Sequence, residues 1–228
     1  MARVIDLNAD VGEGMDGDLE LLAFVTSANV ACGFHAGDAS TMRAVCAAAV
    51  ERGVTIGAHV GYRDREGFGR CALDVPAKTV AAETVEQIQA LQEAGGRVAY
   101  VKPHGALYHR ASVDEECAAA IVSAVDGLPV LAAPGSALLA QACAAGIEAV
   151  TEGFIDRAYA PDGSLVPRGT EGAVLGVEDA VRQALTIARV RLDVRSLCLH
   201  GDTPGALELA LRVVSELEAA GVELRSFA

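Results

Sequence analysis

Four of the five histidines in this 228-residue chain fall in short polar clusters that also hold carboxylates, glycines and one of only two lysines. In chain order the clusters are DLNADVGEG, with Asn8, Asp10 and Glu13; ANVACGFHAGD, with Cys32, His35 and Asp38; IGAHVGY, with His59; and VKPHGALY, with Lys102 and His104. Two more follow: TEGFIDRAY, with Glu152, Asp156 and Arg157, and CLHGDTPG, with His200 and Asp202. Imidazoles beside carboxylates take up and return protons near neutral pH. A single loop histidine more often only satisfies carbonyls, but four in equivalent places point to one shared site. Lys102 ends an apolar run, whereas Lys78 reads as a surface residue on a helix. Lys102 is therefore read as a charge clamp for an anionic substrate or as an acid/base of lowered pKa. Arg70 and Arg157 suit carboxylate or phosphate, or salt bridges to neighbouring aspartates. One aspartate and two histidines from different strands also suit a divalent metal, although neither HxxxH nor HExxH occurs.

The elements that must position these residues are legible as an alternation. Short apolar runs at Val4–Leu7, Asn29–Cys32, Thr55–Ala58, Val98–Lys102, Pro129–Ala132, Glu148–Thr151 and Ser196–Leu199 read as strands. Amphipathic stretches at Asp18–Thr26, Asp38–Arg52, Ala77–Glu93, Val113–Val125, Ser136–Ala144 and Val177–Arg189 read as helices, and a last helix ends at Gly221. Met42, Val45, Cys46, Ala49 and Val50 form the expected stripe of the second of these, and Leu207, Leu211, Val214 and Leu217 that of the last. His109 reads as lying in a loop. About seven β/α units follow, in one domain over residues 1–228, with a parallel sheet closed or nearly closed into a barrel; an open doubly wound sheet is the alternative. The polar clusters then sit where such folds place active sites, just beyond the carboxyl ends of the strands.

Composition excludes several classes. The formal net charge of −13 lacks the basic face that nucleic-acid binding needs. No apolar run is long enough to span a bilayer, and the amino-terminal residues lack a signal core. The six cysteines form no CxxC pair, which reads as reduced thiols in the cytosol, with Cys46, Cys117 and Cys143 as small buried residues. GxxxxGK[ST], GxGxxG at a strand–helix turn and GxSxG are all absent.

DLNADVGEG, SANVACGFHAGD, IGAHVGYRDREGFGR, VKPHGALY, EGFIDRAYAPDGSLVPR and CLHGDTPGA together resemble the LamB/YcsF family, in order and over nearly the whole chain. The resemblance implies a seven-stranded (β/α) barrel similar to the glycoside hydrolase/deacetylase superfamily. It implies ATP-driven opening of 5-oxoproline to L-glutamate, with ATP and its Mg counter-ion as co-substrate. Two other 5-oxoprolinase subunits would be partners, and a homo-oligomer is left open. In that chemistry Asp10 and His59 would activate water, or ligate a metal if one is bound. His35 and His104 would serve as acids or hydrogen-bond donors at the lactam, and Lys102 would stabilise developing negative charge. His200 and Asp202 would close the rim, with Asp202 orienting the imidazole. Asn8, Glu13, Asp38, Arg70, Glu152, Asp156 and Arg157 would bind substrate. The chain departs from the family at Val60 and Arg63, where proline is common, and in a shortened stretch from Ile187 to Ser196. A stand-alone metal-dependent amide or carbohydrate deacylase and a non-catalytic substrate-channelling scaffold are the competing readings.

Overall fold

Seven parallel strands close into a barrel in the computed structural model, which describes residues 3–228. The strands are β1 (Arg3–Val11), β2 (Ser27–Ala31), β3 (Thr55–Val60), β4 (Val98–Pro103), β5 (Val130–Ala132), β6 (Ala149–Phe154) and β7 (Ser196–His200). β1 closes the ring by pairing with both neighbours, Asp10 aligning with Asn29 on one side and His200 on the other. An eighth strand, β8 (Val222–Leu224), pairs only with the start of β1 and has no counterpart among the expected strands. The helices between and after the strands are α1 (Asp18–Leu21), α2 (Ala39–Arg52), α3 (Ala77–Glu93), α4 (Gly105–Val113), α5 (Glu115–Ala124), α6 (Ala137–Ala144), α7 (Val177–Val190) and α8 (Ala206–Ala219). No described helix is long and apolar enough to cross a membrane.

Strand alternation explains what lies inside. Ile5, Leu7, Ala9 and Val11 of β1 join the large apolar core shared with the helices. Asp6, Asn8 and Asp10 take the opposite face: Lys102 reaches Asn8 and Asp10 from β4, a strand that is not adjacent to β1. The ring therefore encloses a polar network, and most of the apolar core lies outside it. A small cluster of Tyr100, Leu131 and Val150, packed by Phe227, forms a second apolar patch. Gly57 makes room for the Tyr100 ring, which stands 2.3 Å from where a Cβ on residue 57 would be.

Several expectations need correction. Strands β1 and β6 run three or four residues past the predicted ends, because polar residues facing inward continue a strand that an apolar-run reading stops. The first helix covers only Asp18–Leu21 rather than Asp18–Thr26. Helix α4 is an addition, and it carries His109, which the sequence reading places in a loop. Val50 is 64 % exposed and leaves the α2 stripe. In α8 the buried face is Ala206, Leu209, Ala210, Val213 and Leu217, while Leu207 and Leu211 face outward at 36 % and 55 %. Cys143 is exposed rather than buried, although all six cysteines are free. In the stretch expected to be short, α7 passes to β7 across residues 191–195.

Candidate active site

Each polar cluster arrives at one end of the barrel because parallel strands deliver their carboxyl ends to the same rim. Asp10 comes from β1, His59 from β3, Lys102 from β4 and His200 from β7; Glu13, His35 and His104 stand on the connections just beyond β1, β2 and β4. A cavity of about 460 Å³ opens over them, lined by Asp10, His59, Lys102, His104, Arg157 and His200 among others.

Three histidines form one wall. The rings of His35 and His104 stack with centroids 3.9 Å apart, and His59 meets both edge-on. His35 Nε2 lies 3.2 Å from Glu13 Oε1, and His104 Nδ1 lies 3.0 Å from His59 Nε2. The far side of each of the last two rings faces the main chain: His59 Nδ1 is 3.1 Å from the Lys102 carbonyl, and His104 Nε2 is 2.8 Å from that of Phe68. Phe68 is one of two described non-glycine residues with positive φ, at 55°, and the turn that holds it continues through Gly69 at 66°. A Cβ on Gly69 would come within 2.8 Å of both His35 and His104, so this close approach needs glycine. Burial, reinforced by His59, pushes the His35 imidazole down to about 3. Burial and the two neighbouring rings likewise hold His104 well below the usual histidine range. Burial beside Asp10, Asp202 and Asp18 holds the Glu13 carboxyl well above the usual carboxylate range.

Lys102 occupies the centre. Its Nζ is 3.1 Å from Asp10 Oδ1, 3.1 Å from Glu152 Oε2, 3.3 Å from Asn8 Oδ1 and 3.0 Å from Cys198 Sγ. Burial disfavours the ammonium, but Asp10, Cys198 and Glu152 outweigh it and hold its pKa well above the usual lysine value. The reading of Lys102 as an acid/base of lowered pKa is thereby corrected: it is a fixed cation. Asp10 is its counterpart, held well below the carboxylate range by His59 and Lys102 despite its burial.

His200 forms the opposite wall. Its Nδ1 lies 2.8 Å from Asp156 Oδ1, its backbone N–H donates to Asp156 Oδ2 at 2.9 Å, and Thr203 donates to the same oxygen at 2.5 Å. Phe154 stacks on the imidazole at 5.4 Å. Asp156 therefore orients His200, and the assignment of that role to Asp202 is corrected. Asp202 instead pairs with Arg70 at 2.6 Å and Arg168 at 2.8 Å. Arg157 is fixed by the Val166 and Ala173 carbonyls, at 2.7 and 3.3 Å, and lines the cavity beside Arg70 and Arg168.

The remaining expected residues do not line this cavity. Asp38 is exposed and caps α2, accepting from Thr41 N at 2.7 Å, so it is not part of the site. Asn8 is buried inside the barrel, donating to Ser196 Oγ at 2.7 Å and accepting from Asn29. Glu152, buried against Lys102 at 3.1 Å, also lines a second cavity of about 810 Å³ with Tyr108. Sequence reasoning missed Cys198, Arg168 and Phe154. Cys198 stands two residues before His200, so strand alternation puts the two on one face and is a usable signal. Arg168 arrives on the long connection between β6 and α7, and only its place at the end of the EGFIDRAYAPDGSLVPR motif marks it.

Comparison with known proteins places the chain. Residues 5–228 match the model of the LamB/YcsF family. A Streptomyces avermitilis protein named as a 5-oxoprolinase subunit is 56 % identical over 250 aligned positions, covering 99 % of this chain and 100 % of the relative. That alignment is longer than the 228 residues here, so the relative carries residues with no counterpart in this chain. A Nocardia farcinica protein of the same name is 48 % identical, covering 98 % of this chain and 99 % of its own. The crystal structure of a lactam utilization protein from Thermus thermophilus matches with a TM-score of 0.89 at 38 % identity, covering 98 % of this chain and 99 % of that one. A family 4 carbohydrate esterase from Streptomyces lividans matches at 0.55 and 13 % identity, covering 99 % and 93 %, and shares the fold alone. The chain belongs to the LamB/YcsF family.

Proposed function

We propose that this chain is the lactam-handling component of an ATP-dependent 5-oxoprolinase, which opens 5-oxo-L-proline to L-glutamate together with two partner subunits. One observation carries the reading: the likeness to a chain named as a 5-oxoprolinase subunit holds at 56 % identity over 99 % of this sequence. The chemistry of the rim supports it. A five-membered lactam is a resonance-stabilised amide and resists water at neutral pH. ATP, when bound, would supply a phosphoryl group to the lactam oxygen and so make the carbon more electrophilic. The residues of this chain supply the rest. Asp10 and His59 take the proton of the attacking water, and the Lys102 ammonium offsets negative charge beside them. His200, held by Asp156, returns a proton to the departing nitrogen, and a second water then cleaves the resulting acyl phosphate to glutamate and inorganic phosphate. Arg70, Arg157 and Arg168 form a cationic mouth whose charge fits a substrate carboxylate or a phosphoryl group. That mouth suits the phosphate end of a nucleotide, but the chain has no glycine-rich phosphate loop, so we assign ATP binding to a site shared with the partners. Free cysteines suit a reducing cytosolic setting.

The test is glutamate release from 5-oxoproline and ATP, first by the purified chain and then with both partner subunits added. Glutamate only from the mixture supports the reading, and none from either contradicts it. A stand-alone metal-dependent deacylase is the second reading, favoured by the convergence of Glu13, His35, His59 and His104. Release of acetate from an N-acetylated amide or sugar by the chain alone would select it.

A further inference from the structure

The histidine wall has a hydrogen-bonding defect that emerges when each proton is followed. A backbone carbonyl only accepts, so the Lys102 carbonyl, 3.1 Å from His59 Nδ1, fixes the hydrogen on that nitrogen. In the neutral ring, His59 Nε2 is then a bare lone pair. The Phe68 carbonyl, 2.8 Å from His104 Nε2, leaves His104 Nδ1 bare by the same argument. These two bare nitrogens face one another at 3.0 Å. Asp10 Oδ2 lies 3.3 Å from His59 Nε2, and Glu13 Oε1 lies 3.4 Å from His104 Nδ1 and 3.8 Å from His59 Nε2. With Glu13 ionised, three acceptor atoms on buried residues, His59 Nε2, His104 Nδ1 and Glu13 Oε1, thus converge with no hydrogen among them, and Asp10 Oδ2 stands beside His59. Buried acceptors aimed at one another are unfavourable unless a cation stands between them.

The spacing identifies the kind of cation. Ligands about 2.0 to 2.1 Å from a tetrahedral ion lie about 3.3 Å from each other. The separations of 3.0, 3.3, 3.4 and 3.8 Å surround that value. Each imidazole also turns its other nitrogen to a backbone carbonyl, the arrangement that orients metal-binding histidines. For His104 that carbonyl belongs to Phe68, whose unusual backbone conformation presents it. His35 stands behind Glu13 with Nε2 at 3.2 Å and holds the carboxyl in place. Imidazole and carboxylate together suit zinc and its neighbours better than magnesium or calcium.

We propose that His59 Nε2, His104 Nδ1 and Glu13 bind one divalent transition-metal ion of the zinc class at the floor of the cavity, with Asp10 beside His59 and the remaining position open to the cavity. Asp10, His59 and His104 line that cavity, so the ion is reachable from it. The inference holds whether or not the chain opens a lactam, because binding is measured without partners or substrate; with an ion bound, His59 would act on the attacking water through the ion rather than as a free base.

The test strips the full-length chain with a chelator, dialyses it against Zn²⁺ alone, and measures bound metal by mass spectrometry and Tm by calorimetry. One equivalent per chain with a raised Tm is expected. Co²⁺ in its place should give the visible bands of a four-coordinate nitrogen and oxygen site. His59→Ala and His104→Gln should each weaken binding by at least about tenfold, the scale set even by residues behind a metal ligand. His109→Ala, outside the cluster, should keep the full equivalent. Circular dichroism confirms that each variant is folded, and Glu13→Gln provides a near-isosteric variant should the others fail to fold. Wild-type chain that binds no Zn²⁺ overturns the proposal and leaves a proton, on Glu13 or shared by His59 and His104, to relieve the crowding. Binding that survives His59→Ala, His104→Gln and Glu13→Gln in folded protein overturns it equally.

Discussion

Asp6 and Asp10 lie on the same strand, on the same inward face and are both buried, yet their surroundings differ in kind. Asp6 is surrounded by hydroxyls: Thr26 donates at 2.5 Å, Ser27 at 2.7 Å, and Ser196 also donates. Those bonds only partly offset burial, and its pKa rises to about 6. Asp10 is surrounded by His59, Lys102 and His200, and its pKa falls well below the carboxylate range. Neutral hydroxyls hold a buried carboxylate in place, whereas the Lys102 ammonium beside Asp10 favours its ionised form. The barrel thus carries a structural layer near the start of β1 and a charged layer at the rim, and only the second borders the cavity.

Removing the cation should break the contrast most sharply. Lys102→Met leaves Asp10 and Glu152 buried without their ammonium, and should cost about 3–5 kcal/mol of unfolding free energy in urea titrations. Next in size is the separation of two aspartates at the mouth. Asp156→Asn should lower turnover of the reconstituted enzyme by about 100-fold, because His200 loses the partner that fixes its tautomer. Asp202→Asn, which touches the arginines and not the imidazole, should lower it by about tenfold or less and raise KM more than it lowers kcat. Equal losses in the two would remove the distinction between them. The smallest step concerns Asp6. A carboxyl whose pKa is raised on folding stabilises the native state below its unfolded value, and that contribution is lost as pH rises through the folded value. Between about pH 4 and 6, wild type should lose stability relative to Asp6→Asn by up to about 1.4 kcal/mol per pH unit. A difference that stays flat across this window would show that Asp6 is not perturbed.

The same contrast explains what the sequence reveals. The seven strands are legible from apolar runs, and His35, His59, Lys102, His104 and His200 are legible from their places after those runs. Strands are cut short at Asn8 and Glu152 because a polar barrel interior ends the apolar signal before the strand ends. Asp6 escapes for the related reason that it sits within a strand, where only its alternation with Ile5 and Leu7 marks it as inward-facing. Helix α4 escapes because no side chain caps its start and it begins directly at His104. Asp38 is overread, since a helix cap and a ligand-binding carboxylate have the same sequence signature. The pairing of Asp156 with His200 joins residues 44 positions apart, and no local pattern specifies it.

The most direct test is glutamate release by the three-subunit mixture containing His59→Ala in place of wild type, with assembly checked by size-exclusion chromatography. A loss of at least about 100-fold in turnover, with the complex intact, is predicted for a residue that handles the attacking water. Near-normal turnover in the intact complex would contradict it and make this rim a binding surface for substrate that reacts elsewhere.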